Sequence, residues 1–135
     1  MSRIDWDAVA SVLNATPGVA AAWAFGSAQD GRQRPGSDLD LAVLFGERPS
    51  LSERAGLRAR LEEALQIPDI DLMTLNDASP IARFEALRGR LLCCRDVDRR
   101  AEFASLTARE YEDEMGFLRA GMAYYRERQT GQELT

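Results

Sequence analysis

This sequence contains no histidine and no lysine; all 17 of its basic residues are arginines. That absence removes Ser-His-Asp and Cys-His catalysis, histidine-ligated zinc, the phosphate-binding lysine of a P-loop and lysine Schiff-base chemistry. Carboxylate–metal catalysis is the main polar chemistry left. Cysteine is nearly as scarce. The only two, Cys93 and Cys94, are adjacent in the apolar run Leu91-Leu92-Cys93-Cys94. They suit neither a spaced metal motif nor a disulfide framework, so we expect two reduced, partly buried thiols. No apolar run approaches the roughly 18 residues a membrane span needs, and the start, Ser2-Arg3-Ile4-Asp5-Trp6, has no secretory leader pattern. A cytoplasmic protein without membrane contact is expected. Positive charge is also in deficit: the formal net charge is −5, which argues against direct DNA binding through a broad basic face. Local arginine patches remain able to bind phosphate or an acidic partner.

The chain of 135 residues fits one domain with a useful core. Its elements alternate. Trp6, Val9 and Leu13 form a helical stripe ending before Pro17-Gly18. An apolar strand, Val19 to Phe25, follows, and a second runs from Leu39 to Phe45. Ser50 and Glu53 read as a capping box opening a helix with Leu57, Leu61 and Leu65 on one face. The segment Asp69 to Leu75 reads as a strand entered through Pro68. Ser79-Pro80 supplies an N-cap and an N1 proline for a short helix carrying Ile81, Phe84 and Leu87, stopped by Gly89. Arg90 to Cys94 reads as a last strand. These alternations predict an α/β domain, a mixed sheet flanked by helices, with a core at about 4–96; the strand order cannot be read from them.

A long C-terminal helix is expected over about 98–128. Ala104, Ala108, Tyr111, Met115, Leu118, Met122 and Tyr125 follow spacings of four and three, the pattern of a coiled-coil seam. Phe103, Phe117 and Tyr124 widen its apolar face, and Gly116 and Gly121 weaken it by about 1 kcal/mol each relative to alanine. Packing against the domain's own helices and a surface for a partner are both open readings of this seam. They combine if the inner half packs at home and the tip around Met122 to Tyr125 serves a partner.

Chemistry concentrates where the first two strands meet. The first delivers Gly26-Ser27; ten residues later comes Ser37-Asp38-Leu39-Asp40 at the entrance of the second. Alternate residues of a strand share a face, so Asp38 and Asp40 should present their carboxylates together, roughly 6–7 Å apart at Cα. Hard divalent cations such as Mg²⁺ favour such oxygen donors, with substrate phosphates completing the shell. A Gly-Ser turn can offer backbone N–H groups and a hydroxyl to phosphate. In the strand near residue 71, Asp71 faces opposite to Ile70 and Leu72, and a third carboxylate there could hold metal and receive a proton. Asp69 shares its parity but stands at the strand entrance.

Gly-Ser, a spacer, then Asp-x-Asp resembles the nucleotidyltransferase superfamily that includes DNA polymerase β. Over roughly residues 19–95 the chain is most similar to the minimal nucleotidyltransferases, the MNT antitoxins encoded beside HEPN-domain toxins. The resemblance rests on Phe25-Gly26-Ser27, Gly31, Arg34-Pro35, Ser37 to Val43, Asp71-Leu72, Ala78-Ser79-Pro80 and Arg83-Phe84-Glu85. It implies a small nucleotidyltransferase domain that moves AMP from ATP onto a tyrosine of a cognate HEPN toxin, silencing it in a type VII toxin–antitoxin pair. It implies catalytic Asp38, Asp40 and Asp71 holding Mg²⁺, two ions, with nucleotide held by Gly26, Ser27, Arg34 and Ser37. Asp30 departs from the pattern, because related loops often carry a basic residue there; Arg32 and Arg34 are the available replacements. Two other functions fit the residues: adenylylation of a small molecule such as an aminoglycoside, and a non-catalytic module that neutralises its partner by binding alone.

Overall fold

Two strands that are apolar along nearly their whole length must be covered on both faces, and they form the centre of the sheet. In the computed structural model, which describes residues 4–26 and 39–133 and side chains as far as Arg128, these are β1 (Val19–Phe25) and β2 (Leu39–Phe45). Helix α1 (Trp6–Asn14) precedes β1, and its start is capped by Asp5, whose Oδ1 accepts the Ala8 N–H at 3.1 Å. Thr16 closes the other end by donating its hydroxyl to the Val12 carbonyl at 2.7 Å. Helix α2 (Leu51–Leu65) links β2 to β3 (Ile70–Thr74) and opens on the expected capping box of Ser50 and Glu53. A 3₁₀ turn, Leu75–Asp77, leads to α3 (Pro80–Leu87), whose N-cap Ser79 accepts the Ala82 N–H. Strand β4 (Arg90–Cys94) then precedes α4 (Val97–Glu133).

The strand order is β3-β2-β1-β4. Strand β1 runs antiparallel to β2 and β4, while β2 and β3 are parallel, so the sheet is mixed, as expected. One face carries Leu39, Leu41 and Val43 against Val9 and Leu13 of α1 and Leu57 and Leu61 of α2. The other packs Trp23, Ala42 and Leu44 against Leu75, Ala86 and Phe103, putting α3 and the first part of α4 on that side. Gly89 lets the α3–β4 turn press against β1: a Cβ there would lie 2.1 Å from the Ala24 carbonyl oxygen. Cys93 and Cys94 are free thiols, as expected. Burial pushes the Cys93 thiol up from its ordinary value, and it donates to Asn14 Oδ1 at 3.3 Å, so it stays an unreactive core group.

Helix α4 corrects one expectation. The face it turns to its own domain contains Phe103 and Thr107, both buried, with Tyr111 half-buried; Ala108 is exposed. Phe103 anchors the helix by packing against Trp23, with ring centroids 6.4 Å apart, and residues four apart from it lie on the same face. A strict coiled-coil seam drifts off that line in a straight helix of 3.6 residues per turn. The Tyr111 ring stacks on Phe84 of α3 at a centroid distance of 3.8 Å and 9° between planes. Beyond it the described side chains from Phe117 to Arg128 are exposed. Among the described residues, no helix is long and apolar enough to cross a membrane.

Candidate active site

Parallel pairing of β2 with β3 places Asp40 opposite Asp71, Cα partner to Cα partner. Hydrogen-bonded strands lie about 4.8 Å apart, and opposed residues of a parallel pair project to the same face, so the two carboxylates stand side by side. Their parity is that of Ala42, Leu44 and Met73, which puts them on the α3 side of the sheet at the entering ends of both strands. Asp40 is half-buried and Asp71 exposed. Asp69 lies ahead of β3 and outside the paired register.

The third described component is Gly26. Across β1, Phe25 is the register partner of Asp40, so the next residue arrives against the aspartate. Gly26 has φ +74, and a Cβ built on it would lie 2.7 Å from Asp40 Oδ2. The conformation is one L side chains rarely adopt, which favours glycine, and a Cβ would fit only if the Asp40 carboxylate moved aside. We expect Gly26→Ala to push the Asp40 side chain out of place and to lower stability by about 1–2 kcal/mol through backbone strain. The check is thermal unfolding beside a transfer assay. A variant with wild-type stability and transfer would show that the Gly26–Asp40 approach is not required.

The structure therefore brings together Gly26, Asp40 and Asp71. Asp38, Ser27, Arg34 and Ser37, with Asp30 and Arg32, lie outside the described residues. Among the described residues, no cluster of three or more His, Cys, Asp or Glu side chains forms a metal site; the pair Asp40–Asp71 is what the fold assembles. Its chemistry fits a hard divalent cation: the donors are carboxylate oxygens on neighbouring strands, with neither thiol nor imidazole to favour a softer metal.

Two side chains that hold the opposite, exit end of the same strand pair were not assigned a role from the sequence. Asn76 donates its Nδ2–H to the Phe45 carbonyl at 2.9 Å and accepts the Phe45 N–H on Oδ1 at 3.0 Å. Its amide thus imitates one residue of strand and ties the exit of β3 to β2, helping to hold the register that opposes the aspartates. Arg83 donates Nε–H to the Leu75 carbonyl at 2.9 Å and a terminal N–H to the Asn76 carbonyl at 2.8 Å. It also faces Glu110 of α4 at 3.5 Å and lies 5.3 Å from the Phe103 ring centroid. One guanidinium therefore clamps the turn after β3, α3 and α4 together. An Asn directly after a strand, and an Arg four residues after an N-cap, were the available signals, but neither names its partner.

A model of the polymerase β nucleotidyltransferase family matches residues 7–98, a span that includes every element except most of α4. A candidate protein adenylyltransferase of Methanocaldococcus jannaschii is 38% identical over 66 residues, covering 49% of this chain and 70% of that protein. Among solved structures, a toxin–antitoxin structure with AMP-PNP superposes with a TM-score of 0.73 at 24% identity, covering 91% of this chain and 99% of the other. The complex of a tri-AMPylated Shewanella oneidensis HEPN toxin with an MNT antitoxin matches with a TM-score of 0.65 at 22% identity, covering 90% and 95%. The family match encloses the Asp40–Asp71 pair and the Gly26 turn that packs against it, and the chain belongs to the polymerase β-type nucleotidyltransferases.

Proposed function

We propose that this nucleotidyltransferase transfers AMP from ATP onto a tyrosine hydroxyl of a cognate HEPN-domain toxin, as the antitoxin of a type VII pair in the cytoplasm. The single observation that carries the reading is the opposition of Asp40 and Asp71 with Gly26 against Asp40. The adenylyltransferase relative, the AMP-PNP complex and the AMPylated toxin bound to an MNT antitoxin support the choice of nucleotide and acceptor.

In this reading Asp38, Asp40 and Asp71 would hold two Mg²⁺ ions, which supply charge neutralisation at the α-phosphate and at departing pyrophosphate. Gly26, Ser27, Arg34 and Ser37 receive the triphosphate oxygens. Asp71, the more exposed carboxylate, orients the acceptor hydroxyl and takes its proton as the oxygen bonds to the α-phosphorus. The α–β phosphoanhydride bond breaks and pyrophosphate leaves. A formal net charge of −5 fits a protein acceptor better than DNA.

The test is intact-mass analysis of the co-expressed toxin. Each transferred AMP should add about 329 Da, the mass gained when pyrophosphate is the leaving group. Protection of cells with an unmodified toxin would replace this reading by a binding-only antitoxin. Transfer to an aminoglycoside and none to protein would replace it by a small-molecule enzyme.

A further inference from the structure

The outer part of α4 is an apolar helix face that the domain does not cover. Phe117 is 79% exposed, Leu118 47%, Met122 58% and Tyr125 63%. The Tyr111 ring stacks on Phe84 and Met115 is half-buried; from Phe117 outward the described side chains are exposed. Met115, Leu118, Met122 and Tyr125 continue as the a, d, a and d positions of two heptads. An isolated helical end of this length is marginal in water, and a glycine within it lowers its stability further. A Cβ at Gly121 would meet nothing within 4 Å, so contacts within the chain do not demand a glycine there.

The flanking charges identify the occupant. Positions e are Glu112, Arg119 and Arg126; positions g are Glu114, Gly121 and Arg128. Acid lies at the inner end and arginine at the outer end of both rows. When two helices run in opposite directions, a faces d, e faces e and g faces g. We propose that this face pairs antiparallel with the same face of a second copy of the chain, about a two-fold axis beside Ala120. Leu118 of one copy then meets Met122 of the other, and Met115 meets Tyr125. Glu112 faces Arg126 and Glu114 faces Arg128, each pair occurring twice by symmetry.

At the centre, Gly121 faces Gly121 and permits close approach of the backbones, while Arg119 against Arg119 is the one repulsive contact. A parallel pairing sets g against the following e and yields only Glu114 with Arg119 as an opposite-charge pair. It also forces both catalytic domains to one end. The antiparallel register uses all four inner acids and outer arginines and puts the domains at opposite ends. Arg128 already lies 5.8 Å from its own Tyr124 ring, and a guanidinium with five donors can keep that contact while pairing with Glu114.

Light scattering on the purified chain, from micromolar to millimolar concentration, should give a species of twice the 15.0 kDa chain mass. The R126E/R128E variant should fall to the single-chain mass, and E112R/E114R likewise. Mixing these two variants should restore the doubled mass, because each then supplies the charge the other lacks. That rescue separates lost pairing from lost folding. A wild-type chain that stays single throughout the range overturns the proposal, as does an R126E/R128E variant that keeps the doubled mass, which the parallel arrangement predicts. If the chain is single and R126E/R128E instead releases a co-purified toxin, the face belongs to that partner and the proposal fails.

Discussion

Asparagine at Asp40 should lower nucleotidyl transfer by about 10²–10³-fold or more, the scale seen when one group that stabilises transition-state charge is removed. The substitution keeps the side chain's shape, so Gly26 still has a group of the same size to pack against, and stability should change little. What disappears is the negative charge, and a neutral amide cannot serve a hard cation in its place. Asp71→Asn should produce a loss of the same order, because its carboxylate stands beside that of Asp40 on the neighbouring strand. Residues that act as a unit lose activity non-additively, so the double variant should be little worse than either single one. Transfer of labelled AMP, with circular dichroism as the folding control, measures all three. Near-normal transfer in the folded Asp40→Asn variant would remove this pair from the chemistry.

The second large effect is on stability. Replacing Arg83 by alanine should cost about 2–4 kcal/mol, because the Leu75 and Asn76 carbonyls lose their donor in a partly buried setting. For a domain of this size that corresponds to roughly 10 °C in Tm. The Glu110 contact contributes less, since that carboxylate is about one-third exposed. The arginine's packing on Phe103 is lost as well. Arg83→Lys should recover only part of the stability, because an ammonium cannot present a planar fork to two carbonyls at once. Thermal unfolding of the three proteins tests the ordering; an alanine variant as stable as the parent would show that the turn after β3 is held by Asn76 alone.

Much of the local structure was legible because its causes are local. Trp6, Val9 and Leu13 announce α1, the Ser50–Glu53 box opens α2, and Ser79-Pro80 opens α3; caps and periodicity act within a few residues. The strands β1, β2 and β4 were equally visible as apolar runs, and β3 ends one residue inside its expected bounds on each side because Leu75 enters the 3₁₀ turn. Periodicity alone misplaced the inner seam of α4. Spacing could not show that Phe103 would lock onto Trp23 and carry Thr107, rather than Ala108, into the core.

The sequence by itself determined which residue types were available, which way Asp40 and Asp71 faced relative to their neighbours, and that a glycine follows Phe25 where β1 ends. Only the tertiary structure decided that β2 lies between β1 and β3, which brings Asp40 level with Asp71 and delivers Gly26 to within a Cβ's reach of the Asp40 carboxylate. It likewise gave Asn76 and Arg83 their carbonyl partners. Side-chain parity along a strand is set by the pleat of that strand alone. Pairing between residues 31 apart in the chain, such as Asp40 and Asp71, depends on which buried faces α1, α2, α3 and α4 can cover together, and that is a property of the whole core.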